Sequence, residues 1–220
     1  MKLTARLYEA ARPVWAGYHT HPFVTGLGDG SLPVEKFRFF LLQDYLYLWE
    51  YARVFALGVV KANTPELMRF FADNVTQILD GEMDIHRAYM ARLGITEAQA
   101  AAARPALPNR SYTSYMLAAA HAGGPLEILA AILACSWSYA EIAGHLLAQN
   151  PAAIDHPLYG EWVAGYTSED YVRTNAALMD RLDALTGGCP PEQAARLEDI
   201  FVACSRYEAL FWDMAWAGEE

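Results

Sequence analysis

At 220 residues the chain is long enough to bury a sizeable core, and a single domain over 1–220 is the expectation. Hydrophobic residues at 54 % and charged residues at 19 % exclude a disordered chain. The net charge of −10, without clusters of Lys or Arg, argues against nucleic-acid and membrane partners.

Cys135, Cys189 and Cys204 are odd in number and form no CxxC pair, a pattern of reduced thiols rather than a disulfide frame or a zinc site. Lys2 and Arg6 place charge too early for a signal peptide. Ser111 to Leu126 carries Ser, Tyr and His and a Gly-Gly break, so it reads as no spanning helix. The expected setting is cytoplasmic.

In chain order, Lys2 to Gly17 has helical spacing of Leu3, Leu7, Ala10 and Ala11, with Pro13 as a kink or a restart. His19 to Phe23 reads as a break with a short apolar turn, and Gly26 to Ser31 as a loop. Pro33 opens a long helix to about Ala62, with Glu35 in its first turn. That helix has two apolar strips, one through Phe37, Phe40, Leu41, Leu48 and Phe55 and one through Phe39, Leu42, Leu46 and Trp49, so burial on most sides is expected.

Thr64-Pro65-Glu66 starts a third helix to about Leu93, ended by Gly94. Ile95 to Arg104 is a short Ala-rich helix and Asn109 to Ala122 the next. Leu126 to Ala148 follows Pro125 and stops at Asn150-Pro151. His156-Pro157 begins a short element through Val163. Ser168 caps a helix to about Leu185, and Glu192 to about Trp216 forms the last. No stretch alternates as a strand does, and no linker divides the chain. The predicted architecture is an all-α, single-domain helical bundle of roughly eight helices.

Three side chains stand out against this apolar background. Asp44 lies among Phe, Tyr, Leu and Trp, where an unpaired carboxylate is costly, so it needs a partner or a role. Glu208 repeats the anomaly in Tyr207-Glu208-Ala209-Leu210-Phe211-Trp212. Cys135 shares a helical face with Tyr139, about 40° away in azimuth. A lone buried Cys is usually packing. A thiol and two carboxylates, each on an aromatic helix, suggest instead one apolar pocket with a few polar groups. Tyr47 shares the cavity-facing side of Asp44, and Tyr112 and Tyr166 add phenols from other segments. Glu82 with His86 and Glu141 with His145 have metal-ligand spacing, but read as ordinary i,i+4 pairs, and no metal is expected.

Five motifs in order carry a resemblance: Gln43-Asp44-Tyr45-Leu46-Tyr47-Leu48, Glu82 to Tyr89, Ser111 to Tyr115, Cys135-Ser136-Trp137-Ser138-Tyr139, and Tyr207 to Trp212. From about His21 to Trp216 the chain resembles the thiaminase II (TenA) family, in its cysteine-containing subclass. The resemblance implies a haem-oxygenase-like fold without haem or any other cofactor, and a cytoplasmic homotetramer in thiamin salvage and degradation. It implies hydrolysis of a 4-amino-5-aminomethyl-2-methylpyrimidine, with thiamin as a further candidate substrate. By the same resemblance Cys135 is the nucleophile and Glu208 the acid/base. Asp44 holds the aminopyrimidine edge, and Tyr47, Tyr112, Tyr139 and Tyr166 line the pocket.

Two rival readings use the same residues differently. A di-iron oxidase of the same fold would draw on Glu82, His86, Glu141 and His145, yet the helix from Ser168 to Leu185 has no His to complete the set. A non-catalytic pyrimidine-binding regulator would need Asp44 and the tyrosines but would leave Cys135 and Glu208 idle.

Overall fold

The structure, a computed structural model, describes residues 2–218. Its α-helices are α1 (Leu3–Tyr18), α2 (Pro22–Asp29), α3 (Val34–Lys61), α4 (Pro65–Thr76), α5 (Met83–Arg92), α6 (Glu97–Ala102), α7 (Leu107–Ala122), α8 (Pro125–Gln149), α9 (Gly160–Thr167), α10 (Glu169–Leu185) and α11 (Pro191–Ala217). A π-helical turn, Gln77–Glu82, joins α4 to α5, and a 3-10 turn, Pro151–Asp155, follows α8. No strand occurs among the described residues, so the all-α expectation holds. None of the three cysteines is in a disulfide.

The largest departure from expectation is α2. Gly26 to Asp29 is helical rather than a loop. His21 accepts from the Phe23 amide and Pro22 takes the first turn, so the start is well capped. The glycines serve close packing: a Cβ on Gly28 would stand 2.8 Å from Leu146 Cδ2, and one on Gly26 would stand 3.0 Å from the Leu32 backbone. The turn ends at Gly30, whose φ of 80° suits glycine. Pro13 lies inside an unbroken α1. The second strip of α3 is not buried throughout, since Trp49 is 50 % exposed and Arg53 and Ala56 are exposed. The helix α8 is long and apolar enough to cross a membrane, yet 78 % of its most apolar window is buried inside the protein.

The chain packs as two compact units. One takes the residues up to Pro33 together with Leu129–Asp213. In it Arg6 pairs with Glu198, Trp15 bonds Ser205, and His19 stacks on His145. The first two contacts lay α1 along α11 in the same chain direction, and the third brings the end of α1 onto α8. Asp183 of α10 accepts from the Thr4 amide at 3.0 Å and from its hydroxyl at 2.8 Å, which closes the N-terminal turn of α1 that Lys2 leaves uncapped.

The other unit takes Val34–Ile128 and the residues from Met214 on. Its centre is α3. Gln43 accepts from the Ala106 amide at 2.9 Å and from Asn109 Nδ2 at 3.1 Å, and donates to the Arg104 carbonyl at 3.0 Å. Lys61 donates to the carbonyls of His121 and Gly123 at the far end. Thus α7 runs parallel to α3, pinned at both ends. On another side α4 and α5 run antiparallel to it, from the Gly58–Phe71 contact to the bond from Arg38 to the Leu93 carbonyl.

Gly58 permits that approach. An alanine there gains about 1 kcal/mol of helix propensity, but its Cβ would lie 2.5 to 2.7 Å from the ring of Phe71, which has no exposed surface to retreat into. The steric cost prevails. Gly58→Ala is expected to lower stability by about 1–2 kcal/mol, read as a lower urea midpoint with an unchanged slope. A midpoint at or above that of the parent protein would contradict the packing described.

Candidate active site

In the first unit, the middle of α8 supplies Cys135 and, one turn on, Tyr139. Cys135 keeps 9 % of its surface, and Tyr139 is buried. The Tyr139 ring stands 4.9 Å from Tyr166 of α9, 5.2 Å from Trp212 of α11 and 5.8 Å from Trp162. Tyr166 in turn meets Tyr171 edge-on at 4.9 Å, and the Tyr171 hydroxyl donates to the Ser136 carbonyl at 3.1 Å. The start of α10 is thereby tied to the residue after Cys135. The indole N–H of Trp162 is buried in this aromatic group without a hydrogen-bond acceptor.

Glu208 is 1 % exposed on α11, and the phenol that faces it comes from α1. Burial pushes the Tyr18 hydroxyl well above its usual range, and the Glu208 carboxylate pushes it further. Tyr18 therefore stays a neutral O–H, which donates to the Ser205 carbonyl. Cys204 is fully enclosed, and burial together with the Glu208 carboxylate raises its thiol well above the ordinary value. The first unit thus holds Cys135, Glu208 and the Tyr18 phenol, with Tyr139 and Tyr166 in ring contact.

Asp44, Tyr47 and Tyr112 belong to the second unit. Tyr47 and Tyr112 have ring centroids 5.3 Å apart, and the Tyr47 hydroxyl lies 3.7 Å from the Met116 sulfur. Asp44, 4 % exposed, is bound at Oδ2 by His86 Nε2 at 2.7 Å. The other ring nitrogen, Nδ1, meets the Glu82 backbone carbonyl at 2.9 Å. Burial would lower the His86 pKa, but the hydrogen bond and charge of Asp44, with help from Glu82, outweigh it and push it up to about 9. His86 is then an imidazolium donating from both nitrogens.

His86 bonds the Glu82 main chain and responds to the Glu82 charge as the i,i+4 spacing suggests, but its side-chain hydrogen bond goes to Asp44, a partner the spacing does not point to. The signal was present in the demand of Asp44 for a partner. What hid the answer is the π turn at Gln77–Glu82, which shifts the phase of every later residue on the helix. The expected Glu141–His145 pair also differs, since His145 stacks on His19 at 4.0 Å and Glu141 meets the Tyr8 hydroxyl at 3.5 Å. Tyr18 was not picked out because a lone tyrosine near a helix end has no pattern to mark it. Among the described residues no three His, Cys, Asp or Glu side chains are grouped to hold a metal ion.

Residues 8–218 match the TENA/THI-4/PQQC family. The chain is 47 % identical to an aminopyrimidine aminohydrolase of Halalkalibacterium halodurans over 216 residues, 98 % of this chain and 96 % of the relative. Among solved structures it is similar to a TenA homologue protein from P. horikoshii OT3, with a TM-score of 0.91 and 34 % identity over 99 % of this chain and 100 % of that one. A domain from Shewanella denitrificans with a heme oxygenase-like fold superposes with a TM-score of 0.78 at 14 % identity, over 99 % of this chain and 93 % of that one. That last likeness concerns the fold alone, and it agrees with the expected haem-oxygenase-like architecture.

The Asp44–His86 pair gives stability a pH dependence of definite sign. The native pKa of His86, about 9, lies above its ordinary 6.5, so the folded protein holds a proton that the unfolded chain gives up. The contribution is complete below about pH 6.5 and is lost as pH rises through about 9. Urea midpoints are expected to fall across that window, and Asp44→Asn is expected to flatten the fall while costing about 1–3 kcal/mol at neutral pH. The same slope in Asp44→Asn as in the parent protein would assign the pH dependence elsewhere.

Proposed function

The chain belongs to the TENA/THI-4/PQQC family, and we propose that it is an aminopyrimidine aminohydrolase of thiamin salvage. Its substrate is 4-amino-5-aminomethyl-2-methylpyrimidine, and its products are the hydroxymethylpyrimidine and ammonia. The observation that carries this reading is likeness over nearly the whole chain to a relative bearing that name. A buried thiol and a buried carboxylate in the same unit, Cys135 and Glu208, support it.

The proposed chemistry exploits an electron-poor ring. Asp44 binds the aminopyrimidine edge, and the His86 imidazolium offsets the cost of holding that carboxylate away from water. Tyr47, Tyr112, Tyr139 and Tyr166 pack against the ring. The Cys135 thiolate adds to the ring carbon beside the substituted position, forming a C–S bond and breaking aromaticity. The ring then pushes electrons toward the exocyclic CH2, the C–N bond breaks, and Glu208 supplies the proton with which ammonia departs. Water adds its oxygen to the CH2 and returns a proton to Glu208. The electrons flow back through the ring, and the C–S bond breaks to release the thiolate. Thiamin would follow the same path with its thiazole as leaving group. The setting proposed with this chemistry is a cytoplasmic homotetramer that uses neither nucleic acid nor membrane, in keeping with a net charge of −10.

The roles separate in steady-state kinetics. Cys135→Ser is expected to lower kcat by about a thousandfold or more while pyrimidine binding persists. Glu208→Gln is expected to lower kcat by about a hundredfold. Asp44→Asn acts mainly through KM. A near-normal rate of ammonia release by Cys135→Ser would refute the covalent step, and a trapped adduct at Cys135 in mass spectrometry would support it.

A further inference from the structure

Two side chains of α1 converge on one buried residue of α11. The Trp15 indole N–H donates to Ser205 Oγ at 3.0 Å, and the Tyr18 hydroxyl donates to the Ser205 carbonyl. Ser205 has no exposed surface. A residue held by both its side chain and its backbone fixes its helix in azimuth and along the axis. Glu208 follows three residues later, about 60° around the same helix.

The same indole reaches the other helix. Trp15 meets Trp137 edge-on at 5.5 Å, and Trp137 stands two residues beyond Cys135 on α8. Tyr8 stacks on the Trp137 ring at 5.6 Å. One helix therefore grips the turn that carries the carboxylate and the turn that carries the thiol. The titratable groups facing the Tyr18 phenol are Glu208 and Cys204 from α11 and Cys135 from α8. Because its proton is committed to the Ser205 carbonyl, the phenol oxygen has only lone pairs to offer them.

We propose that Trp15 and Tyr18 are positioning residues of the reaction, which by gripping Ser205 hold the Glu208 turn of α11 in register with the Cys135 turn of α8. The proposal deepens the functional reading above and rests on it for its kinetic consequence. Nothing in the sequence pattern marks either residue, since both look like ordinary core aromatics of an amphipathic helix.

The experiment compares Tyr18→Phe, Trp15→Phe, Ser205→Ala and the Trp15→Phe/Ser205→Ala double variant with the parent protein and with Tyr8→Phe, which keeps the ring that stacks on Trp137 and removes only the hydroxyl that meets Glu141. Three quantities are read: kcat and KM for the aminomethylpyrimidine, the pH midpoint for iodoacetamide alkylation of Cys135 followed by peptide mass spectrometry, and the thermal midpoint. In Tyr18→Phe, kcat is expected to fall about tenfold with KM within about twofold. Its alkylation midpoint is expected to shift by about half a unit or more. Tyr8→Phe should match the parent protein. The double variant should be no worse than the poorer single one, because both changes remove one shared bond.

Parent-like kcat and alkylation midpoint in a folded Tyr18→Phe would overturn the proposal. So would an equal effect from Tyr8→Phe, or losses in kcat and KM that merely follow the thermal midpoint. Alkylation needs no substrate. If the parent protein leaves the aminopyrimidine untouched, the functional reading falls, and the alkylation midpoint by itself decides whether the grip acts on Cys135.

Discussion

The burial of charge in aromatic helices is the constraint that most of this architecture answers. Asp44 sits on a helix whose neighbours are Phe, Tyr and Leu, and it retains 4 % of its surface. An isolated carboxylate there would neutralise or unfold its surroundings. It is kept by one contact, 2.7 Å to His86, and that contact depends on the antiparallel run of α4 and α5 along α3. A π turn admits one extra residue between them, and so rotates His86 by roughly one residue's azimuth relative to an unbroken α-helix. Gly58 lets Phe71 lie close enough for the two helices to meet, and Gln43 fixes the opposite side of α3 against the start of α7. Helix phase, a missing side chain and a buried amide network all bear on one ion pair.

The first unit handles its buried carboxylate differently. Glu208 faces a neutral phenol and an enclosed thiol, and both are pushed toward their protonated forms by burial and by that same carboxylate. Both of these neighbours are therefore poor acids.

Much of this was legible in the sequence, for reasons that can be named residue by residue. The long helices announce themselves through Pro33, Pro65 and Pro125 at their starts and through Gly94 and Asn150-Pro151 at their ends. Ser168 caps α10 as its position predicts, accepting from the Tyr171 amide. Asp44, Cys135 and Glu208 were visible because each breaks an apolar pattern. The helix α2 was not, since two glycines and an aspartate look like a loop until the neighbours that exclude a Cβ are known. The Asp44–His86 pair and the Ser205 grip are long-range, spanning 42 and 190 residues, and no local periodicity encodes either.

Two buried thiols share the first unit, and their surroundings differ. Cys204 stands one turn before Glu208 on the same helix, so the two side chains share a face and the carboxylate opposes a second negative charge there. Complete enclosure is the larger part of that penalty, and the thiolate is the form a nucleophile needs. Cys135 lies on a different helix, retains some surface, and has Tyr139 on the next turn with Tyr166 and Trp212 in ring contact beyond it. The contrast between the two surroundings follows from enclosure and from which helix carries the carboxylate.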